Sequence, residues 1–147
     1  PEPAKVFAPL GSGGTVAGLA LGLRLAGLRT RTVAVTVTDI LPPSRRKLCR
    51  LANSSWNRLR RLAANLPVAN LAAGDFDVTD EFVGRGYGYP TGEGQAAGAL
   101  LFEGEHIRLD DTYTAKCMAA LVASARSGRL DGRPVLFWNT YSSVDVE

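Results

Sequence analysis

The fold of this chain is set by residues 6–18, whose sequence is VFAPLGSGGTVAG. Residues 6–10 are apolar and contain good strand formers, and residues 11–14 include three glycines, which predicts a tight turn. From Thr15 onward the sequence has the character of a helix that continues to about residue 25. The stretch is therefore predicted to run from strand to turn to helix.

The turn has the features of a phosphate-binding loop. Glycine allows the backbone to approach an anion closely, and serine and threonine hydroxyls supply further hydrogen-bond donors. The first turn of the following helix adds unpaired N–H groups and a partial positive charge. The candidate phosphate ligands are Gly11, Ser12, Gly13, Gly14 and Thr15.

Other interpretations of the turn remain open. A nucleotide P-loop ends in Gly-Lys-Ser/Thr, and no lysine lies near Gly14. A dinucleotide fingerprint needs Gly-x-Gly-x-x-Gly, but its third glycine position is occupied by Val16, although Asp39 imitates the ribose-binding acid. A tight connection without any ligand is equally compatible with a single glycine-rich turn.

The composition indicates one domain, or one large piece of a domain. The chain has 147 residues, of which 46% are hydrophobic, so it can bury a core and is not disordered. The net charge of +3 is concentrated in one predicted helix, without the interleaved aromatic residues of nucleic-acid-binding modules. A solvated helix face or contact with an acidic partner is therefore expected, rather than binding to nucleic acid. The basic residues are Arg45, Arg46, Lys47, Arg50, Arg58, Arg60 and Arg61.

Residues for metal or nucleophilic chemistry are few. Cys49 and Cys117 show no CxxC spacing and are expected to be unpaired buried thiols. With His106 as the one histidine, neither a zinc site nor a Ser-His-Asp triad is expected. Because no stretch is long and apolar enough to cross a bilayer and no charged-then-apolar leader is recognised, no membrane contact and a cytoplasmic location are expected.

The element order predicts an α/β fold with a parallel sheet between two helical layers. The first strand, helix and second strand form a right-handed parallel crossover. Three strand ends should meet at one edge of the sheet, where ligands bind in such folds: the glycine turn, residues 38–39 and residues 139–140. The other predicted elements are strands at 31–37, 76–78 and 133–138, and helices at 44–67, 93–103 and 109–128, the last capped by Asp110 or Asp111.

Three motifs together resemble one enzyme family. They are GSGGT at 11–15 followed by AGL at 17–19, GYG at 86–88 followed by PT at 90–91, and LD at 109–110 followed by TYTAK at 112–116. This pattern is similar to the family of D-cysteine desulfhydrase and 1-aminocyclopropane-1-carboxylate deaminase, which are pyridoxal-phosphate enzymes of the tryptophan synthase β-like fold, fold type II. The resemblance covers essentially the whole chain.

The resemblance implies that residues 1–147 are the C-terminal portion of the cofactor-binding large domain. The N-terminal part of such an enzyme, with the small domain and the lysine that forms a Schiff base with the cofactor, would then be absent. Lys5, Lys47 and Lys116 do not match that lysine. The chain by itself is therefore expected to be inactive, and the complete enzyme is expected to be a homodimer.

Site residues follow from the same resemblance. Residues 11–15 would hold the cofactor phosphate, and Tyr87 and Tyr113 would line the substrate site as catalytic candidates. Thr114 stands where the deaminases have glutamate, which favours the desulfhydrase branch. Thr140 matches the threonine that faces the pyridine nitrogen, although its neighbours read NTYS rather than HTGG. Thr114 and Thr140 are thus predicted cofactor contacts.

The implied activity is that of a pyridoxal-phosphate lyase. Elimination at Cβ of a small amino acid would give a keto acid, ammonia and sulfide. Two alternatives remain: a 1-aminocyclopropane-1-carboxylate deaminase, and a non-catalytic module that binds a phosphate ligand or a partner. The natural substrate and its stereochemistry cannot be read from these residues.

Overall fold

The computed structural model describes residues 1–63 and 65–140. A four-stranded sheet lies between two layers of helices. The strands are β1 (Lys5–Leu10), β2 (Arg31–Thr36), β3 (Phe76–Thr79) and β4 (Val135–Phe137), and the helices are α1 (Gly14–Leu25), α2 (Arg45–Leu62), α3 (Gly92–Glu105) and α4 (Thr114–Arg126).

All the strand pairs are parallel, in the order β3-β2-β1-β4. Phe7 of β1 is level with Val33 of β2 on one side and with Phe137 of β4 on the other. Because the strands run in the same direction, the residues that follow β1, β2 and β4 reach the same edge of the sheet.

Alternate residues of β1 face opposite layers, as the pleat of a strand requires. Ala8 and Leu10 pack with α1 and α2, in a core that includes Val16, Leu48 and Trp56. On the other face, the fully buried ring of Phe7 packs with Cys117 and Ala120 of α4, and α3 packs on the outer side of α4. The predicted three-layer α/β/α arrangement is therefore confirmed.

The last helix begins later than predicted. The expected start was residue 109, but α4 starts at Thr114. The N-cap position is Tyr113 and not Asp110 or Asp111, but Asp110 still contacts the amides here: its Oδ1 accepts hydrogen bonds from the Thr112 and Tyr113 amides, and its Oδ2 accepts one from the Thr114 amide. One carboxylate thus accepts hydrogen bonds from the amides of the turn before the helix and from the first helical amide. Because these amides have an acceptor outside the helix, the preceding residues need not be helical.

The last strand is shorter and less buried than predicted. A buried strand was expected over 133–138, whereas β4 contains three residues and its Leu136 is 41% exposed. The physical reason is the strand order, because β4 lies at one side of the sheet with β1 as its neighbour. An apolar run predicts a strand, but it does not predict whether that strand is central or at an edge.

The two thiols lie in different environments. Cys117 is fully buried, and burial raises the pKa of its thiol far above the ordinary value. Cys49 is half-buried, and its Sγ lies 2.8 Å from the Leu71 carbonyl oxygen, to which it donates. Within 1–63 and 65–140, no helix is both long and apolar enough to cross a membrane, and no cluster of three potential metal ligands occurs.

Candidate functional site

The turn between β1 and α1 depends on glycine at position 13. Gly13 is buried and left-handed, with φ 97° and ψ −4°. A Cβ atom there would lie 2.8 Å from Cδ2 of Leu48, closer than packed atoms tolerate. Since Leu48 is itself fully buried, the turn can adopt this path only without a side chain.

The N-terminus of α1 fits a phosphate group. No side chain caps its first turn, and no acidic residue occurs in that turn. Ser12, Gly14 and Thr15 are exposed, so amides and hydroxyls here are accessible to an anion. These donors, added to the positive end of the helix dipole, suit the dianionic phosphate of a cofactor.

Two tyrosines from distant parts of the sequence meet beside this turn. The hydroxyl oxygens of Tyr87 and Tyr113 are 2.6 Å apart, and the rings meet edge to face with centroids 5.7 Å apart. A Cβ atom on Gly11 would lie 3.3 Å from Cε1 of Tyr113, so the missing side chain lets the ring approach the turn. The structure therefore brings the predicted phosphate and substrate residues together.

A cavity of about 280 Å³ lies between the turn and the tyrosine pair. It opens at the carboxyl edge of the sheet, where ligands bind in parallel α/β folds. Its lining residues are Gly11, Ser12, Thr38, Ile40, Leu41, Pro43, Lys47, Tyr87 and Tyr113.

The tyrosine hydroxyl pair favours a protonated Tyr113. The hydrogen bond to Tyr87, followed by burial and the nearby Tyr87 and Asp110, raises the pKa of Tyr113 above its ordinary value. Tyr113 therefore keeps its proton at neutral pH, and either hydroxyl can donate within the pair. One hydroxyl proton of the pair remains available to a ligand in the cavity, because only one is used between the two oxygens.

Thr114 lies next to the pair, but its hydroxyl is already engaged. The residue is fully buried, and its Oγ1 lies 2.6 Å from Asp110 Oδ2, to which it donates. The same Oγ1 accepts a hydrogen bond from the Asp110 amide at 2.9 Å. These contacts give Thr114 a structural role at the start of α4, and its contact with the cofactor stays a prediction.

Thr140 follows β4 and is exposed. β4 runs parallel to β1, and the Trp138 amide donates to the Phe7 carbonyl at 2.9 Å, so the chain continues along β1 toward the glycine turn. Thr140 therefore lies at the same edge of the sheet as the cavity. The residues that follow it, from 141 onward, lie outside the described part of the chain.

The three lysines differ in their relation to the cavity. Lys5 donates to the Arg129 carbonyl at 3.0 Å from the start of β1, the end of the strand away from the turn. Lys116 is fully buried and donates to the carbonyls of Val83 and Gly86. Lys47 is exposed and lines the cavity, a placement that sequence reasoning missed.

Asp39 also has a role that the sequence did not predict. It was interpreted as a possible ribose-binding acid, but its Oδ1 accepts the Tyr87 amide at 3.0 Å. This hydrogen bond is the main reason why the pKa of Asp39 is lowered. The sequence placed residues 38–39 at the ligand-binding edge, where Asp39 lies three residues beyond the end of β2, but it did not predict the hydrogen bond to the Tyr87 amide.

The chain is similar to known proteins over most of its length. Residues 1–140 match the sequence profile of the family described as "Pyridoxal-phosphate dependent enzyme". The chain is 34% identical over 140 residues to D-cysteine desulfhydrase from Klebsiella pneumoniae (strain 342), covering 95% of this chain and 40% of that protein. It is 35% identical over 137 residues to the D-cysteine desulfhydrase of Yersinia enterocolitica serotype O:8, covering 92% and 39%.

A solved structure described as that of an ACC deaminase homologue superposes with a TM-score of 0.68 at 29% identity, covering 94% of this chain and 39% of that one. This similarity confirms the predicted fold type, and the chain spans about 40% of the length of the relatives that it matches. The family profile also confirms pyridoxal phosphate as the expected cofactor. Since the match includes both the phosphate turn and the tyrosine pair, the chain belongs to the family of pyridoxal-phosphate dependent enzymes.

Proposed function

We propose that this chain is the C-terminal portion of the cofactor-binding large domain of a pyridoxal-phosphate lyase of the D-cysteine desulfhydrase type. The complete enzyme would release sulfide, ammonia and a keto acid from a small amino acid. One observation carries the proposal: the Tyr87–Tyr113 hydroxyl contact of 2.6 Å lies against a glycine turn suited to phosphate. The two desulfhydrases of similar sequence support the same reaction class.

The phosphate of the cofactor would bind at residues 11–15. When bound, pyridoxal phosphate withdraws electrons from Cα of an amino acid, which allows loss of the Cα proton and of a leaving group at Cβ. The chain's contribution is orientation, because the α1 N-terminus fixes the anionic end of the cofactor. Lys47, on the wall of the cavity, adds a positive charge near the same anion.

The tyrosine pair would handle the leaving group. We assign Tyr113 as the donor within the pair, which would leave the Tyr87 hydroxyl proton free to be donated to a departing thiolate. Tyr113, whose pKa is raised, then stabilises the oxygen of Tyr87 as negative charge develops on it. The two hydroxyls would thus act as one general acid.

Thr140 and Thr114 complete the proposed site. A neutral hydroxyl at the pyridine nitrogen holds a proton there less firmly than a carboxylate would, which suits elimination of a good leaving group. We assign that contact to Thr140, which lies at the cavity edge of the sheet. Thr114 would contact the cofactor from the start of α4, with its hydroxyl oriented by the hydrogen bond to Asp110.

The remaining parts of the enzyme are also proposed. An N-terminal segment would supply the small domain and the Schiff-base lysine, the complete protein would be a homodimer, and it would function in the cytoplasm in amino-acid metabolism. The sequence of the encoding gene tests the first point directly. An upstream reading frame that contains a lysine segment supports the enzyme, and a natural start codon at residue 1 contradicts it.

Cofactor binding by the chain tests the phosphate assignment. Replacing both hydroxyl residues, Ser12→Ala with Thr15→Ala, should weaken binding of pyridoxal phosphate by about tenfold or more, since hydrogen bonds to charged groups are lost. Binding of pyridoxal, which lacks the phosphate, should change little. Ser54→Ala on the exposed face of α2 is the matched control. Equal losses for both ligands would contradict the assignment.

Covalent trapping tests the lysine assignment. The chain is incubated with pyridoxal phosphate, reduced with borohydride and analysed by peptide mass spectrometry. We expect no lysine to carry a stable cofactor adduct in a chain that also releases sulfide. A stable adduct at Lys47, together with sulfide release by the chain, would show that the catalytic lysine lies in this portion.

A second candidate activity is opening of 1-aminocyclopropane-1-carboxylate, since the solved neighbour is described as an ACC deaminase homologue. Thr114 stands in place of the deaminase glutamate, which favours elimination over ring opening. Parallel assays of the complete enzyme with D-cysteine and with the cyclopropane substrate decide between the two, and faster ring opening would reverse the assignment.

A further inference from the structure

The segment that carries Tyr87 is bound from inside the protein by one lysine. Lys116 is 0% exposed, and its Nζ donates to the Val83 carbonyl at 2.9 Å and to the Gly86 carbonyl at 2.8 Å. The Gly86 amide in turn donates to the Val83 carbonyl at 3.3 Å, which closes a turn around the Nζ atom. The backbone just before Tyr87 is therefore organised by a buried cationic side chain.

The same segment is bound from the opposite side by Asp39. Its Oδ1 accepts the Tyr87 amide at 3.0 Å, and a Cβ atom on Gly86 would lie 2.6 Å from that oxygen. Gly86 also has φ 121°, a conformation that residues with a side chain rarely adopt. The glycine thus permits the carboxylate to reach the backbone of the next residue.

Tyr113 is connected to this arrangement through helix α4. It is the residue before the first turn of α4, and Lys116 lies within that turn. One rigid helix end therefore positions the Tyr113 hydroxyl directly and positions Tyr87 through the Lys116 contacts. The 2.6 Å separation of the two hydroxyls depends on both.

We infer that Lys116 and Asp39 are positioning residues that hold segment 83–87 so that Tyr87 meets Tyr113. Lys116 donates to the buried Gly86 carbonyl and adds a second donor to the Val83 carbonyl, and Asp39 supplies the acceptor for the Tyr87 amide. The positive charge of Lys116 and the negative charge of Asp39 also attract each other across this short turn. Burial lowers the pKa of Lys116, and the Asp39 charge partly restores it.

The alternative is that Lys116 only fills space and stabilises the fold. Two control variants separate these roles. Lys5→Met removes another lysine-to-carbonyl hydrogen bond, at the far end of β1. Cys117→Ala perturbs the next residue of α4, which is also fully buried but packs with the sheet. Within the described chain, neither residue makes a hydrogen bond to segment 83–87.

The test measures the segment and the tyrosine pair in the 147-residue chain. In Lys116→Met, hydrogen exchange of the Gly86 and Tyr87 amides should accelerate by about tenfold or more, since at least one hydrogen bond that supports the turn is lost. The pKa of Tyr113, followed by NMR with isotope-labelled tyrosine, should fall toward its ordinary value. The two controls should leave both measurements unchanged.

Unchanged amide exchange and an unchanged Tyr113 pKa in Lys116→Met would overturn the inference. So would equal changes in Cys117→Ala, because general loss of stability would then explain both. If Lys116→Met does not fold, Asp39→Ala carries the test, since Asp39 is exposed and its loss should still lower the Tyr113 pKa. An unchanged pKa in that variant refutes the inference as well.

The consequence for catalysis rests on the proposed function. In the complete enzyme, Lys116→Met should lower kcat for sulfide release more than it raises KM, because the general acid is misaligned while the phosphate contacts are kept. The exchange and titration measurements need neither cofactor nor substrate. They therefore remain decisive for Lys116 even if the enzyme proves to catalyse another reaction.

Discussion

Replacing Gly13 by alanine should destabilise the chain more than a surface substitution does. Two costs add at this position. A left-handed conformation costs a residue with a side chain about 1–2 kcal/mol. The new Cβ atom would lie 2.8 Å from Leu48 Cδ2 and 3.4 Å from both Leu51 Cδ1 and Pro43 Cγ, and overpacking of this kind costs about 1–3 kcal/mol.

The expected loss is therefore about 2–5 kcal/mol, a large part of the roughly 5–15 kcal/mol that stabilises a typical domain. Urea unfolding followed by far-ultraviolet circular dichroism measures it through the transition midpoint. The matched control is Gly18→Ala in α1, where no atom lies within 4 Å of a new Cβ. That variant should be slightly more stable, because alanine favours helix by about 1 kcal/mol over glycine.

Gly13→Ala should also weaken pyridoxal phosphate binding, because relief of the contact with Leu48 must move either the turn or α2. Binding affinity is measured on the folded fraction at low temperature. If Gly13→Ala unfolds at the same urea concentration as the unmodified chain, then the argument that a side chain at position 13 is strained and too close to Leu48 is wrong. If Gly18→Ala loses as much stability as Gly13→Ala, the cost belongs to alanine in α1 in general and not to this turn.

Three further outcomes are expected. Thr114→Ala should reduce stability by about 1–3 kcal/mol in urea unfolding, since the half-buried Asp110 carboxylate loses the Thr114 hydroxyl as a partner; a change near zero would contradict that pairing. Hydrogen bonds from Arg31 lower the pKa of Asp77, so the stability from this pair is present above about pH 4 and is lost as the pH falls through the lowered pKa. Asp77→Asn should therefore reduce the melting temperature at neutral pH and have no effect in strong acid, and a loss that is equal at both would refute the assignment. Thr140→Val in the complete enzyme should slow release of sulfide or chloride from β-substituted alanines, and an unchanged rate would mean that another residue contacts the ring nitrogen.

Local sequence patterns were sufficient for most of the fold. The β-branched run of β2 and the glycine turn after β1 predicted a parallel crossover, because both signals act over short distances along the chain. Strand order could not be predicted in the same way. Leu136 and Val33 occur in similarly apolar runs, yet one is 41% exposed and the other 9% exposed, since strand position depends on contacts between distant segments.

The site could be predicted from the sequence only in part. Residues 11–15 form a local motif whose chemistry depends on its own backbone, so phosphate binding could be predicted there from the sequence, and it stays a prediction. The tyrosines were found through the family resemblance. Their 2.6 Å contact, the position of Lys47 on the cavity wall and the contacts of Lys116 depend on tertiary structure. For Asp39 the strand end predicted the ligand-binding edge of the sheet, but not the hydrogen bond to the Tyr87 amide.

The start of α4 explains why these features occur together. Asp110 accepts hydrogen bonds from the amides there, Tyr113 reaches the cavity, the Thr114 hydroxyl donates to Asp110, and Lys116 holds the opposite loop, all within one turn or so of the chain. A change at any of these positions therefore alters the geometry of the tyrosine pair as well as the stability of the helix. Under the proposed function, substitutions at the start of α4 should change stability and catalysis together. Substitutions of Ser12 or Thr15 in the phosphate turn should lower cofactor affinity with little change in the tyrosine contact, whereas a side chain at Gly11 would push against the Tyr113 ring.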